Sequence, residues 1–176
     1  MTNLRFARQE PPTSSIMNSS YQLLTSETEY RRAYDTVLGR AEHEILIFDR
    51  DLRTLQLNHE TRLQLLSDFL AADRLRRIRV VLHDPGPLHR EAPRLMQLIG
   101  RFSHLIDVRQ SPDNLRHLAD AHLLADDAHG VRRFHVDQPR STLVLDDPAY
   151  IQPWRQRFEE LWGLSHPCLQ INTTGL

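Results

Sequence analysis

The sequence predicts an α/β domain built on a mixed, largely parallel sheet with helices on both faces. Three observations carry this expectation. Short apolar runs suited to buried strands alternate with helix-period segments through the first two thirds of the chain, in the order α-β-α-β-α-β. The last third switches to short strand-like segments separated by turn residues and closes on one long amphipathic segment. A length of 176 residues, 40% apolar and 26% charged, suits one soluble domain with a real core.

Residues 1–20 are rich in Pro, Ser and Asn, as in Pro11-Pro12-Thr13-Ser14-Ser15, and show no period; they are expected to form a flexible tail, leaving 21–176 as the single domain. The first helix starts at Ser26, where Ser26-x-x-Glu29 has capping-box spacing. Tyr30, Ala33, Tyr34, Val37 and Leu38 then share one helical face up to Gly39. Glu44–Phe48 reads as a buried strand ending in the polar Asp49-Arg50-Asp51. A second helix covers His59 to Ala72, with Leu63, Leu66, Phe69 and Leu70 inward. Arg79–Leu82 is the next strand, broken by His83-Asp84-Pro85-Gly86-Pro87, and a third helix is expected from Glu91 to Phe102. A third strand lies near Ile106–Arg109. Ala121–Ala125, Val131–Val136 and Thr142–Leu145 read as short strands, the first two joined by a hairpin-type turn over Asp126–Gly130. The final helix, Pro148 to Leu164, carries Trp154, Phe158, Leu161 and Trp162.

Composition removes whole chemistries. All 22 basic residues are arginine, set against 23 acidic ones for a net charge of −1. Without lysine the chain can form no Schiff base with a carbonyl substrate or pyridoxal phosphate, and neither a Walker A loop nor a protein-kinase site in its usual form. The single cysteine, Cys168, excludes an internal disulfide and a thiolate cluster. No apolar run approaches the ~20 residues of a membrane span, and residues 1–20 lack the apolar stretch of a secretory signal. The expected location is cytoplasmic, with no membrane partner and no cofactor. Near-zero net charge argues against nucleic-acid binding by bulk electrostatics but leaves a local arginine face open.

The order of elements, with Glu44–Phe48, the Arg77–His83 strand and the closing block, resembles one half of the phospholipase D-like fold. Asp120-Ala-His-Leu-Leu-Ala-Asp126-Asp127 sits where that superfamily carries the strand bearing its HxKxxxxD motif, and Trp154-x-x-x-Phe158-x-x-Leu161-Trp162-x-x-Ser165 looks like the helix that ends the repeat. More narrowly, residues 21–176 are similar to uncharacterised bacterial domains of this fold, some of them joined to acetyltransferases. The resemblance implies a histidine nucleophile forming a phosphohistidine, a second histidine protonating the leaving group, lysines on the phosphate oxygens and an aspartate orienting a histidine. It also implies two motifs, from a tandem repeat or a homodimer.

The motif is missing from this chain. Placing Asp126 on the motif aspartate puts Ala119 and Ala121 at the histidine and lysine positions; placing Asp127 there puts Asp120 and His122 at them. The expectation is therefore a non-catalytic domain acting as a homodimeric binding or assembly protein. A rearranged phosphodiesterase site would use Asp120, His122 and Asp126. Strand alternation sets Asp120, His122 and Leu124 on one face, and the plainer reading of His122 is a polar edge or dimer-facing residue. A third reading is an arginine-based binder of a phosphate-containing ligand or nucleic acid, with Arg132 and Arg133 as the anion-binding candidates. His117, His122, His129 and His135 match no compact zinc spacing, so no metal is expected. Asp49-Arg-Asp51 resembles the Asp-x-Asp of haloacid dehalogenase-type phosphatases, with Asp146-Asp147 as a later acidic pair, but Thr54 falls one residue late and the phosphate-binding lysine is lacking.

Overall fold

The computed structural model describes residues 20–169. Residues 1–19 of the expected tail lie outside the described residues, and Ser20 already belongs to a strand. The elements run β1 (Ser20–Leu24), α1 (Glu27–Arg40), β2 (Glu44–Asp49), α2 (Glu60–Ala72), β3 (Arg77–Leu82), α3 (Gly86–Glu91), α4 (Pro93–Arg101), β4 (Ile106–Gln110), β5 (Ala121–Ala125), β6 (His129–Arg133), β7 (Ser141–Leu145), α5 (Pro148–Leu164) and β8 (His166–Pro167). Single 3-10 turns at Arg53–Leu55 and Asp113–Leu115 punctuate the longer connections.

Local chemistry sets the helix starts. Ser26 accepts the Glu29 N–H while the Glu29 carboxylate accepts the Ser26 N–H at 3.0 Å, the reciprocal box foreseen from the spacing. Asp147 caps α5 by accepting the Tyr150 N–H at 3.0 Å. The single helix expected over 91–102 is two helices. Pro93 disfavours a helical Ala92, which sits at φ −124° and ψ 57°, so α3 stops and α4 starts again with the proline in its first turn.

All eight strands form one sheet in the order β1-β7-β6-β5-β2-β3-β4-β8. The expected largely parallel sheet is corrected here. Only β2 with β3 and β3 with β4 pair in parallel; the other five pairings are antiparallel. Connection length explains this. A parallel return needs a crossover of a dozen or more residues, which α2 and the α3–α4 pair supply, whereas residues 111–120 between β4 and β5 hold no long helix and turn the chain back at the same end of the sheet. β5, β6 and β7 then follow by short turns and alternate in direction.

Helices cover both faces. Ile45, Ile47, Ile78, Val80, Leu123, Ala125 and Val131 meet α1, α2 and α4 on one side. Leu46, Phe48, Val81, Leu124 and Val144 meet Ile151, Trp154, Phe158 and Leu161 of α5 on the other. On the α5 side, register aligns one transverse row: Leu23, Thr142, Arg132, His122, Phe48, Val81 and Arg109. That row crosses the sheet near the end where β2 and β3 finish. Four polar side chains sit in it, and two of them have no edge to escape to.

Candidate functional site

The buried polar residues gather at the end of the sheet where the parallel strands stop. Asp49, Asp51, His83, Ser111, Asp120, His122, Arg133, Ser141 and Thr142 are all buried there. The carboxyl ends of parallel strands are the usual place for a ligand crevice.

Asp120 stands at the entry to β5. Its Oδ1 accepts from Arg157 Nη2 at 2.7 Å and its Oδ2 from Arg132 Nη2 at 3.2 Å, so one carboxylate bridges two guanidinium groups. Arg157 comes from the flank of α5 and Arg132 from β6; both keep about a third of their side-chain surface in solvent, while the Asp120 side chain is 8% exposed. Arg132 also lies over the Trp154 ring at 5.9 Å.

Beneath this cluster lies His122, on the same face as Asp120 and Leu124 as alternation predicts. It is not the polar edge or dimer-facing residue expected, because it is 1% exposed and wedged between Phe48 (ring centroids 5.4 Å apart) and Phe158 (6.1 Å). Neither ring nitrogen has a hydrogen-bond partner. Burial pushes the imidazole down to about 3, Arg132 and Arg157 push the same way, and Asp120 opposes them. His122 is therefore neutral at physiological pH and offers no proton as a general acid. Thr142 Oγ1, beside Arg132 in the transverse row, is likewise buried without a partner.

A second histidine escaped attention in the sequence. His83 follows β3, and its ring faces Phe48 edge-on at 5.2 Å, so Phe48 lies between two imidazoles. Its Nε2 is 2.9 Å from the Leu118 carbonyl, which can only accept, so Nε2 carries the proton; Nδ1 faces Ser111 Oγ at 2.5 Å. These bonds tie the ring to the β4–β5 connection. Arg157 and Ser111 were also missed. The only signal for Arg157 was its place beside the inward Trp154 and Phe158 of α5.

Asp126 does not join Asp120 and His122. It follows β5 at the opposite end of the strand, roughly 20 Å from Asp120. There its carboxylate accepts the backbone N–H groups of Glu42, His43 and Glu44 at 2.8–2.9 Å. Asp126 itself has φ 55°, a left-handed turn conformation that aspartate tolerates. Its role is to anchor the entry to β2.

Arg132 and Arg133 do not converge either, because neighbours on a strand face opposite sides. Arg133 points to the α1 side, where it is 4% exposed, forks onto Glu27 at 2.5 and 3.0 Å, donates to the His135 carbonyl at 3.1 Å and lies 5.2 Å over Tyr30. Its charge is spent inside the fold. The acidic pairs that suggested a phosphatase are also separated. The Asp49 carboxylate accepts the N–H groups of Asp51 and Leu52, while Asp146 pairs with Arg40 and Asp147 caps α5 at the far end of the antiparallel β7. Among the described residues no group of three or more His, Cys, Asp or Glu could hold a metal ion. No helix of the described residues is long and apolar enough to cross a membrane.

Residues 26–173 match the family described as Domain of unknown function (DUF7931). The chain belongs to that family. Among curated proteins none matches it by sequence. The fold of this DUF7931 domain is similar to several solved structures. TrmBL2, described as an archaeal chromatin protein with a novel mode of DNA binding, superposes with a TM-score of 0.63 and 11% identity, over 89% of this chain and 57% of that one. Nuc from Salmonella typhimurium, a phospholipase D family member, gives 0.57 and 12% identity over 87% of this chain and 100% of its own. Phosphatidylserine synthase from Haemophilus influenzae Rd KW20 gives 0.57 and 11% identity over 90% of this chain and 41% of its own. At such identities the likeness is one of fold, and the DUF7931 domain has a phospholipase D-like one.

Proposed function

We propose that this DUF7931 domain is a non-catalytic phospholipase D-like module that acts in the cytoplasm by binding or assembly, as a homodimer. One observation carries the reading: at the start of β5, Asp120 is locked between Arg132 and Arg157 above a buried, neutral, unpartnered His122. When Asp127 is set on the motif aspartate, these two residues occupy the positions of the motif's histidine and lysine. A carboxylate already bridging two arginines makes a poor phosphoryl acceptor at a site that must draw in an anionic phosphate. A buried imidazole held neutral, with no hydrogen-bond partner, has no imidazolium proton with which to protonate a leaving group.

Incubation with bis(p-nitrophenyl) phosphate and with a labelled oligonucleotide tests the catalytic half. No turnover above buffer is expected, for the wild type or for His122→Ala. Turnover that disappears in a folded His122→Ala variant sinks the reading and favours the rearranged phosphodiesterase. Sedimentation velocity over a wide concentration range tests the other half; a monomer throughout removes the homodimer.

A further inference from the structure

Six large apolar side chains stand exposed among the described residues, and four of them lie on one flank of the α5 face. Tyr21 (58% exposed) and Leu23 (46%) project from β1 on the α5 side, in register with Val144 and Thr142. Tyr150 (42%) stands in the first turn of α5, and Phe134 (44%) follows Arg132 by two residues, next on that face by alternation. Close contacts link Tyr21, Tyr150, Trp154 and Arg132, and a separate one pairs Arg140 with Phe134. Tyr21 lies 5.6 Å from Tyr150, Tyr150 lies 5.5 Å from Trp154, Arg132 sits 5.9 Å over Trp154, and Arg140 sits 5.9 Å over Phe134. Strand geometry puts Tyr21 and Phe134 roughly 16 Å apart.

Arginine predominates along this strip; Asp137, 61% exposed between Phe134 and Arg140, is paired with Arg50 at 3.0 Å. Arg132, Arg140 and Arg157 present guanidinium groups. Of the facing carboxylates, Asp120 is buried beneath two of those arginines and Asp147 is engaged by the Tyr150 N–H at the start of α5. A second copy of the chain docked here by a two-fold axis would set arginines against arginines. A polyanion would not. Exposed aromatic faces next to arginines suit unstacked bases and a phosphate backbone together, a combination that a duplex, with its bases already stacked, cannot use.

We infer that the Tyr21–Tyr150–Arg132–Phe134 strip is a binding surface for single-stranded nucleic acid, with Tyr150 and Phe134 as stacking platforms and Arg132, Arg140 and Arg157 as phosphate contacts. The inference rests on the binding role proposed above and supplies its partner. The test is fluorescence anisotropy of a labelled oligothymidylate with the full chain, beside the same length of duplex, with circular dichroism to show that each variant is folded. The single strand binds more tightly than the duplex, and its affinity falls steeply with salt. Tyr150→Ala and Phe134→Ala each weaken it about tenfold, while Tyr150→Phe, which keeps the ring, restores it. Asp120→Asn, which releases charge on two arginines, tightens binding and steepens the salt dependence.

No binding of the single strand overturns the inference, as does binding that the two alanine variants leave unchanged. If those variants instead dissociate a dimer while the wild type ignores the oligonucleotide, the strip is a self-interface and the inference is also overturned. Recovering the bound strand intact separates the two claims. Cleavage of a strand held by Tyr150 and Phe134 supports the surface and defeats the non-catalytic reading.

Discussion

The two ends of β5 each carry a buried or half-buried aspartate, and the two are solved by different physics. At one end Asp126 accepts three backbone N–H groups that open β2, a job any anchored turn needs. At the other, Asp120 accepts two arginine side chains over a histidine that has no partner at all. Backbone donors are fixed in place by the fold, so the Asp126 end is a joint. Side-chain donors with a third of their surface in water are replaceable, and the polar atoms beneath them stay unsatisfied. The comparison shows why proximity in sequence to a motif is a poor guide: Asp126 looked like the motif residue and serves the scaffold, whereas Asp120 looked like its loss and bridges two arginines over a buried histidine.

Removing the carboxylate should expose this difference most strongly. Asp120→Ala leaves Arg132 and Arg157 facing each other above a desolvated ring and is expected to lower unfolding stability by about 3 kcal/mol in a denaturant titration. A loss under about 1 kcal/mol would put the cluster in the class of surface ion pairs and erase the contrast between the two ends.

Acid gives the next largest effect. Burial holds the folded His122 imidazole down at about 3, against an ordinary value of 6.5. The unfolded chain therefore takes up the proton first, and stability falls as pH drops below about 6.5, continuing until the folded value is reached. By pH 5 this one residue should account for about 2 kcal/mol of lost stability. Comparing the wild type with His122→Phe at pH 7 and pH 5 checks it, since the variant should lose that slope; an unchanged slope would place a proton on the native imidazole.

At the joint, Asp126→Asn keeps the left-handed turn and one carbonyl acceptor, so about 1 kcal/mol is expected. Hydrogen exchange at the Glu42–Glu44 amides should quicken locally, without any change at His122. The smallest effect belongs to Arg40→Ala, which breaks an ion pair with Asp146 whose partners are 42% and 39% exposed; melting should show no more than about 0.5 kcal/mol.

The elements were legible where local chemistry decides them. The capping box fixed the start of α1, helical spacing fixed α5 to the residue, and the turn at Asp126–Gly130 gave the β5–β6 hairpin. β1 was missed because Ser-Tyr-Gln-Leu-Leu is neither an apolar run nor a clean alternation, and β8 because two residues carry no period. Strand direction was misjudged for a different reason. It depends on whether the chain crosses back before β5, and the decisive fact is the shortness of residues 111–120, which no periodicity reports. At the site, alternation alone placed Asp120 and His122 together. Their partners were out of reach: Arg157 lies 37 residues from Asp120, and the Asp126 amides lie 82–84 residues away. The same alternation that puts Asp120 and His122 on one face puts Arg132 and Arg133 on opposite faces of β6.

The sheet order also fixes how this domain can be tethered. Its outer strands, β1 and β8, come from the two ends of the described chain and stand at opposite margins, seven strand spacings apart. At about 4.8 Å per step that is about 34 Å. Ser20 therefore lies at one margin of the sheet and Pro167 at the other. A peptide joining Ser20 directly to Pro167 would have to cross the full width of the sheet.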